Sequence, residues 1–178
     1  EKLRKRKACE GWCVTGMLWA MHVFPEFEGA ELIEAVRAEL DPLFGLIPPH
    51  VTLVFPFEAE EGAVRAAMES ARGVISQFAG FELEMRRVER RGEYLMLLPE
   101  RGGEEVRALH DALYAGAFAR WYAPEFPYTP HVTLGRGEFA FAREDLGRSF
   151  VCAVRQVVLE RIGADGSSEI MERIPLKN

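Results

Sequence analysis

The pentapeptide Pro49-His50-Val51-Thr52-Leu53 returns unchanged as Pro130-His131-Val132-Thr133-Leu134. In a chain of 178 residues, with a chance match of about 1/17 at each position, an identical pair of five-residue windows arises by accident roughly one time in a hundred. The two histidines lie 81 positions apart (131 minus 50), close to half the chain. The repeat therefore indicates two structurally similar lobes.

Each copy of the motif predicts the start of a β-strand. Proline disfavours the helical conformation in the residue before it and is excluded from helix interiors, so the chain is extended at this point. Side chains at i and i+2 of a strand share a face, so His and Thr project together while Val and Leu project into a core. A single His-x-Thr is typical of an ordinary strand. Two copies behind proline favour a functional site.

The composition predicts one globular domain. Hydrophobic residues make up 48% of the chain and charged residues 28%. We expect a flexible basic segment at residues 1–11 and a single bilobal domain at residues 12–178. No apolar run approaches the roughly 20 residues that span a bilayer, so we expect no membrane partner and a cytoplasmic location. The net charge of −6 argues against binding nucleic acid by bulk electrostatics.

Hydrophobic periodicity predicts alternating strands and helices. Strands are expected at 12–24, 50–57, 81–90, 93–99, 131–136, 150–162 and 168–176, and helices at 32–43, 58–79 and 103–121. Turn formers predict hairpins around residues 91–92 and 163–167. This order favours a mixed α+β fold over a doubly wound parallel sheet.

Several other residues could carry chemistry, and for each a packing role is the stronger interpretation. His22 shares the strand parity of apolar neighbours, and His110 adjoins the inward stripe of a helix, so both are expected to be packed. Tyr128 could stack a base, but packing is favoured there too. The three cysteines, Cys9, Cys13 and Cys152, fit neither a zinc spacing nor an even set of disulfides and are expected to be free thiols.

Two strands facing each other across a cleft would place two imidazoles beside one small site. Histidine titrates near neutrality, so one ring can accept a proton while the other donates one. The two threonine hydroxyls could hold the non-bridging oxygens of a phosphate. A metal site needs three or four ligands and the motifs supply two, while a serine-hydrolase elbow and a phosphate-binding glycine loop are absent from the sequence. The pattern therefore favours metal-independent phosphodiester chemistry without a cofactor.

Duplicated His-x-Thr motifs in a chain of this length resemble the two-histidine (2H) phosphoesterases, the superfamily of 2′-5′ RNA ligase-like proteins and RNA 2′,3′-cyclic phosphodiesterases. The stretch from Asp41-Pro42 through Leu53 is similar to a small bacterial branch of that superfamily. The resemblance implies a bilobal α+β fold with pseudo-twofold symmetry, in which each lobe is an antiparallel sheet flanked by helices and the motifs face a central cleft.

The resemblance also implies roles for individual residues. The acid–base pair would be His50 and His131, and the residues that hold the phosphate would be Thr52, Thr133 and Arg136. Many RNA-processing members have Phe-Leu-Gly after the first motif, whereas Val54-Phe55-Pro56-Phe57 stands here. That departure argues against substrates of the RNA-ligase type more than against phosphodiester chemistry by the two histidines.

The leading hypothesis from the sequence is a metal-independent cyclic phosphodiesterase that opens a 2′,3′-cyclic phosphate on an RNA end or a small nucleotide, acting as a monomer. One alternative is a non-catalytic module that binds nucleotides or RNA ends in the same cleft. Another is a phosphodiesterase for a different small cyclic phosphate, such as an ADP-ribose cyclic phosphate. The acidic net charge favours a small ligand over a long RNA. The sequence leaves open which histidine is the acid.

Overall fold

The computed structural model describes residues 17–122, 127–138, 140–141 and 144–177. The expected basic segment 1–11, the beginning of the strand predicted at 12–24, and Cys9 and Cys13 lie outside this range. Cys152 is a buried free thiol, as expected for that residue. Within the described range, no helix is long and apolar enough to cross a bilayer.

Within the part of the chain that the structure describes, eight strands form one antiparallel sheet, and three α-helices accompany it. The strands are β1 (Met17–Val23), β2 (Val51–Ala59), β3 (Phe81–Arg91), β4 (Tyr94–Arg101), β5 (Val132–Arg136), β6 (Asp145–Val154), β7 (Gln156–Ile162) and β8 (Ser168–Pro175). The helices are α1 (Glu31–Leu40), α2 (Glu61–Ile75) and α3 (Gly103–Ala115), and a short 3₁₀ helix follows at Ala119–Trp121. The predicted α+β class is confirmed.

The sheet consists of two four-stranded halves that meet at the two motif strands. Its order is β6-β3-β4-β5-β2-β1-β7-β8. We call β2, β1, β7 and β8 the His50 half, and β5, β4, β3 and β6 the His131 half. Strands β2 and β5 pair at one position, Val51↔Val132. The two sheets expected from the sequence are therefore joined edge to edge through this pair.

Two helices lie across the junction between the halves. Helix α1 precedes β2 in the chain but packs against β5, and α3 precedes β5 but packs against β2. Apolar side chains of both helices, among them Ile33, Leu109 and Leu113, are fully buried in the common core. The helices thus reinforce a junction at which strand pairing is minimal.

The long strand predicted at 150–162 is wrong, because the segment forms two strands in different halves of the sheet. β6 ends at Val154 beside β3, and β7 begins at Gln156 beside β1. The backbone carbonyl of Arg155, the residue between them, accepts a hydrogen bond of 2.8 Å from the amide of Leu176. The two consecutive polar residues Arg155 and Gln156 interrupt the alternation here, but such an interruption does not show that the strand changes partners.

Strand β2 extends through Pro56 to Ala59, beyond the end predicted at residue 57. Proline has no amide hydrogen to donate to a neighbouring strand. On the side that faces β5, β2 is paired only at Val51. On the side that faces β1, the pairing changes register between Trp19 and Met21. The ladder therefore requires no hydrogen bond from Pro56.

Helix α1 is shorter than predicted and fixes the approach to the first motif. It ends at Leu40 because the backbone of Asp41 is extended. The amide of Asp41 still donates a hydrogen bond to the carbonyl of Arg37 in the last turn. The buried guanidinium of Arg37 donates to Asp41 Oδ2 at 2.9 Å and to the carbonyl of Ile47 at 2.8 Å. These bonds tie the loop that leads into β2 to the end of α1.

Candidate functional site

The pair Val51↔Val132 brings the two motifs side by side at the centre of the sheet. Both valines are buried. The residues on either side of each valine project to the opposite face, where all four are partly exposed: His50, Thr52, His131 and Thr133. Continuing the antiparallel register by one residue in each direction brings His50 beside Thr133 and Thr52 beside His131. Two imidazoles and two hydroxyls therefore share one face.

Each motif histidine is held by a backbone carbonyl two residues before it. Nδ1 of His50 lies 2.9 Å from the carbonyl oxygen of Pro48, and Nδ1 of His131 lies 2.7 Å from that of Thr129. A carbonyl oxygen can only accept, so each Nδ1 carries the hydrogen and donates. In the neutral ring this leaves Nε2 with a free lone pair. The extended chain imposed by the proline before each histidine permits this local contact in both motifs.

The surroundings disfavour a positive charge on either ring in the free protein. Burial, followed by the charges of His22, Arg37 and His131, lowers the pKa of His50 from 6.5 to about 3. Burial and the nearby charge of Arg91 lower the pKa of His131. A bound phosphate is an anion, which favours the protonated ring and would raise both pKa values. We therefore expect the site to bind a proton when it binds an anionic ligand.

The structure places a third histidine against the first motif. His22 is buried, as the sequence predicted, but its ring centroid is only 4.4 Å from that of His50. It stands opposite Thr52 in the β1–β2 pairing, and its Nδ1 contacts the buried carboxylate of Glu160 on β7. Neither His22 as a neighbour of the site nor Glu160 was identified from the sequence, because the periodicity of a strand does not reveal which residues stand opposite it.

Tyr128 and His110 contact the backbone of the first motif strand. The hydroxyl of Tyr128 donates to the carbonyl of Thr52 at 2.6 Å, and its ring stacks on His110 with centroids 3.6 Å apart. Nδ1 of His110 is 2.8 Å from the carbonyl oxygen of Leu53. Burial raises the pKa of Tyr128 and lowers that of His110. The packing roles predicted for both residues agree with these contacts.

Arg136 stands at the exposed end of the second motif strand. A register shift in the β4–β5 pairing leaves Leu134 as an extra residue between Thr133 and Gly135, which returns Arg136 to the exposed face of the strand. Its guanidinium donates to Glu93 at 3.0 Å.

The charge of a second arginine, Arg91, which was not identified from the sequence, acts on His131. Arg91, at the tip of the β3–β4 hairpin, donates to the hydroxyl of Thr129 at 2.8 Å and to Glu89 at 2.6 Å. Its nearness to His131 depends on how the hairpin packs against the approach to β5. The sequence shows the hairpin but not that contact.

A cavity of about 720 Å³ lies at the approach to the first motif, and its lining includes Pro48 and Pro49 but none of the four motif side chains. Phe24, Pro48 and Pro49 line it near His50, and Arg173 and several glutamates line other parts. The ring centroid of Phe24 is 6.1 Å from that of His50. Across the described residues, His, Cys, Asp and Glu side chains form no group of three or more that could hold a metal ion.

Known proteins share this fold and sequence pattern. The chain is similar to a candidate phosphoesterase of Geobacillus kaustophilus (27% identical over 122 residues, 67% of this chain and 69% of the relative) and to one of Halalkalibacterium halodurans (27% over 135 residues, 74% and 78%). Among solved structures it resembles E. coli LigT with 3′-AMP bound, at a TM-score of 0.71 and 21% identity, over 92% of this chain and 99% of that one. A Thermus thermophilus protein gives a TM-score of 0.67 at 21% identity, with 91% and 99% covered.

A family model extends the comparison to most of the chain. The model of the 2′-5′ RNA ligase superfamily matches residues 24–161, a range that contains both His-x-Thr motifs. The chain belongs to the 2′-5′ RNA ligase superfamily, the two-histidine phosphoesterases.

Proposed function

We propose that this protein is a metal-independent cyclic phosphodiesterase that opens a 2′,3′-cyclic phosphate on an RNA end or a small nucleotide. The observation that carries the proposal is the pair Val51↔Val132, which sets both His-x-Thr motifs on one face of the sheet. Each histidine is oriented through Nδ1, so that Nε2 is available for proton transfer. Membership of a phosphoesterase family supports the same chemistry.

In the proposed reaction, one histidine takes a proton from water as the water oxygen bonds to phosphorus. The bond from phosphorus to one ribose oxygen breaks, and the other histidine gives that oxygen a proton. The product is a phosphomonoester with a free ribose hydroxyl. Each proton transfer assisted in this way accelerates a reaction by about 10²–10⁴.

The hydroxyls of Thr52 and Thr133 are proposed to donate to the non-bridging phosphate oxygens. Each lies beside the histidine of the other motif, so the two hydroxyls would approach the phosphate from both strands. Arg136 is proposed to add a positive charge after exchanging Glu93 for the phosphate, which is feasible because their ion pair is exposed to solvent.

A nucleotide or a short RNA end fits the surroundings better than a long RNA. The cavity at the approach to the first motif is large enough for a nucleoside, and Phe24, which lines the cavity, has its aromatic ring near His50. The net charge of −6 disfavours a long polyanion. Crystal structures of E. coli LigT contain 3′-AMP, ATP and NADP⁺, which supports a nucleotide ligand for this chain as well.

The test is hydrolysis of a short RNA that ends in a 2′,3′-cyclic phosphate, with EDTA present. We expect turnover by the wild type and none above background by the His50→Ala/His131→Ala double variant. The matched control is His110→Gln, which removes a histidine outside the cleft while its amide can still donate to the Leu53 carbonyl. Circular dichroism would verify that all three proteins are folded.

Three results would contradict the proposal. Equal turnover by the double variant would remove the histidines from the mechanism. Saturable binding of the cyclic-phosphate RNA without any turnover would instead favour the non-catalytic binding module. Loss of activity in EDTA that returns with a divalent cation would exclude the metal-independent mechanism.

A further inference from the structure

A buried carboxylate and a buried histidine lie behind the first motif. Glu160 is fully buried, and His22 is 2% exposed. Nδ1 of His22 contacts Oε1 of Glu160, and neither atom has another hydrogen-bond partner among the residues that the structure describes. The second carboxylate oxygen accepts a hydrogen bond from the hydroxyl of Ser168. Burying a carboxylate is unfavourable, and the attraction within a buried ion pair roughly offsets the cost of removing its charges from water. Stability alone is therefore a weak reason for this arrangement.

His22 connects Glu160 to His50, because it contacts both residues. Ser168 belongs to β8, Glu160 to β7, His22 to β1 and His50 precedes β2, so the four residues cross the whole His50 half of the sheet. The rings of His22 and His50 are 4.4 Å apart and inclined by 51°. At this distance His22 limits the rotation of His50, and any charge on His22 acts on His50 through the buried interior rather than through water.

The charges that face His50 come from three elements. His22 lies on β1, Arg37 on α1 and His131 on the approach to β5, and a positive charge on any of them disfavours a proton on His50. After burial, His22 is the largest of the causes that lower the pKa of His50. An ion pair with Glu160 requires His22 to carry a proton, which supplies this positive charge.

We propose that Glu160 and His22 form a buried ion pair that orients His50 and keeps it unprotonated, making His50 the proton acceptor and His131 the proton donor. This inference rests on the proposed function for the reaction itself, but the effect of the pair on His50 is a property of the free protein. His22 and Glu160 act through His50 and are therefore positioning residues.

The effect of the pair can be measured by NMR titration of the histidine ring signals. The chain contains only four histidines, His22, His50, His110 and His131, so single substitutions would assign each signal. In the His22→Gln/Glu160→Gln variant, two amides replace the ion pair at similar volume. We expect the titration midpoint of His50 to rise by about one pH unit or more, because the positive charge removed with His22 lies against His50, whereas the negative charge removed with Glu160 lies behind His22. Glu160→Gln alone serves as a second variant and should shift the same signal in the same direction, because the buried His22 loses its proton when the carboxylate that pairs with it is removed.

The matched control lies in the other half of the sheet. Met96 stands opposite Thr133 as His22 stands opposite Thr52, and Met96→Gln should leave the His50 midpoint unchanged. A purely structural role for the pair predicts no shift of the midpoint in folded variants. Identical His50 midpoints in the wild type and in both glutamine variants would overturn the inference.

The assignment of acceptor and donor needs a substrate that does not require a proton on its leaving group. A cyclic phosphate with sulfur in place of the departing bridging oxygen, made with sulfur at either position, releases a thiolate. On this analogue His131→Ala should recover to within about tenfold of the wild type, whereas His50→Ala should keep a defect of about 10² or more. Recovery of His50→Ala instead would reverse the assignment. If the wild type hydrolyses neither substrate, the proposed function fails and the role of His50 with it, while the titration still decides whether the pair acts on His50.

Discussion

The two halves of the sheet are alike where they reach the cleft and differ one strand behind it. Both present proline, histidine and threonine in the same register, and both hold Nδ1 of the histidine on a carbonyl two residues upstream. Behind Thr52 stands His22, which is paired with a buried glutamate. Behind Thr133 stands the half-buried Met96, and the glutamate opposite it on β3, Glu89, pairs with Arg91 near the surface.

This difference suggests how two copies of one motif can acquire different tasks. The side chains that would touch a phosphate are the same in both halves, so the phosphate meets a symmetric set of groups. The protonation of each histidine, however, depends on charges outside the motif. In the His50 half the neighbouring charge lies on the buried His22 and is poorly screened. In the His131 half the neighbouring charge lies on the exposed Arg91 and is screened by water.

The largest effect should come from removing either motif histidine. We expect His50→Gln and His131→Gln each to lower kcat/KM for a cyclic phosphate by about 10²–10⁴, because each removes one proton transfer. The pair of measurements tests whether the two halves are equally necessary. A variant that stays within threefold of the wild type would show that its half contributes only structure.

The next largest effect should appear in stability and on one side only. We expect His22→Ala to lower the free energy of unfolding by about 3–5 kcal/mol, because it leaves the buried Glu160 carboxylate without its ion-pair partner. Met96→Ala should cost less, about 1–2 kcal/mol, because Met96 is half-buried and apolar. Urea denaturation would compare the two. Equal losses would remove the asymmetry between the halves.

The threonines should behave as a matched pair. We expect Thr52→Val and Thr133→Val each to reduce kcat/KM by about ten- to a hundredfold, the value of a hydrogen bond to a charged group. Valine keeps the shape and the strand preference of threonine, so the fold is preserved. A defect confined to one variant would mean that the phosphate is held mainly by one half.

Stability should also depend on pH through the histidines. An unfolded histidine binds a proton below pH 6.5, whereas folded His50, with its pKa lowered to about 3, stays neutral. The unfolded state therefore binds more protons between these values, and the free energy of unfolding falls with acidification, by up to about 1.4 kcal/mol per pH unit for one group. His50→Gln should reduce this slope between pH 6.5 and 4. An unchanged slope in urea titrations would contradict the lowered pKa.

The smallest effect should come from Arg136, which follows the second motif and has no counterpart after the first. We expect Arg136→Gln to raise KM by about two- to fivefold at low salt and less at high salt, because the guanidinium is exposed and screened. Glu93→Gln, which frees Arg136 from its ion pair, should lower KM or leave it unchanged. A rise in KM in the Glu93 variant would indicate that the ion pair itself shapes the site.

Most of the fold was predictable because its signals are local. The hairpins, the three helices and the motif strands each follow from periodicity or turn residues within a short window. The division of 150–162 into two strands was not predicted, because the interruption of the alternation at Arg155 and Gln156 does not reveal which strands pair on either side of it. The same limit applies to the site. His50, Thr52, His131 and Thr133 were identified from the repeat, whereas His22, Glu160 and Arg91 depend on strand register and hairpin packing, which the sequence pattern does not contain.

The change of partners at Arg155 also sets the order in which the protein can be assembled during translation. The strands of the His131 half, β3 to β6, come from one uninterrupted stretch, residues 81–154, while the His50 half combines β1 and β2 with β7 and β8 from the end of the chain. On the ribosome the His131 half has all its strands before β7 is made, and domains generally fold as their segments emerge. Glu160, and with it the environment of His50, is made only after all strands of the His131 half, so a nascent chain should complete its cleft after that half has formed.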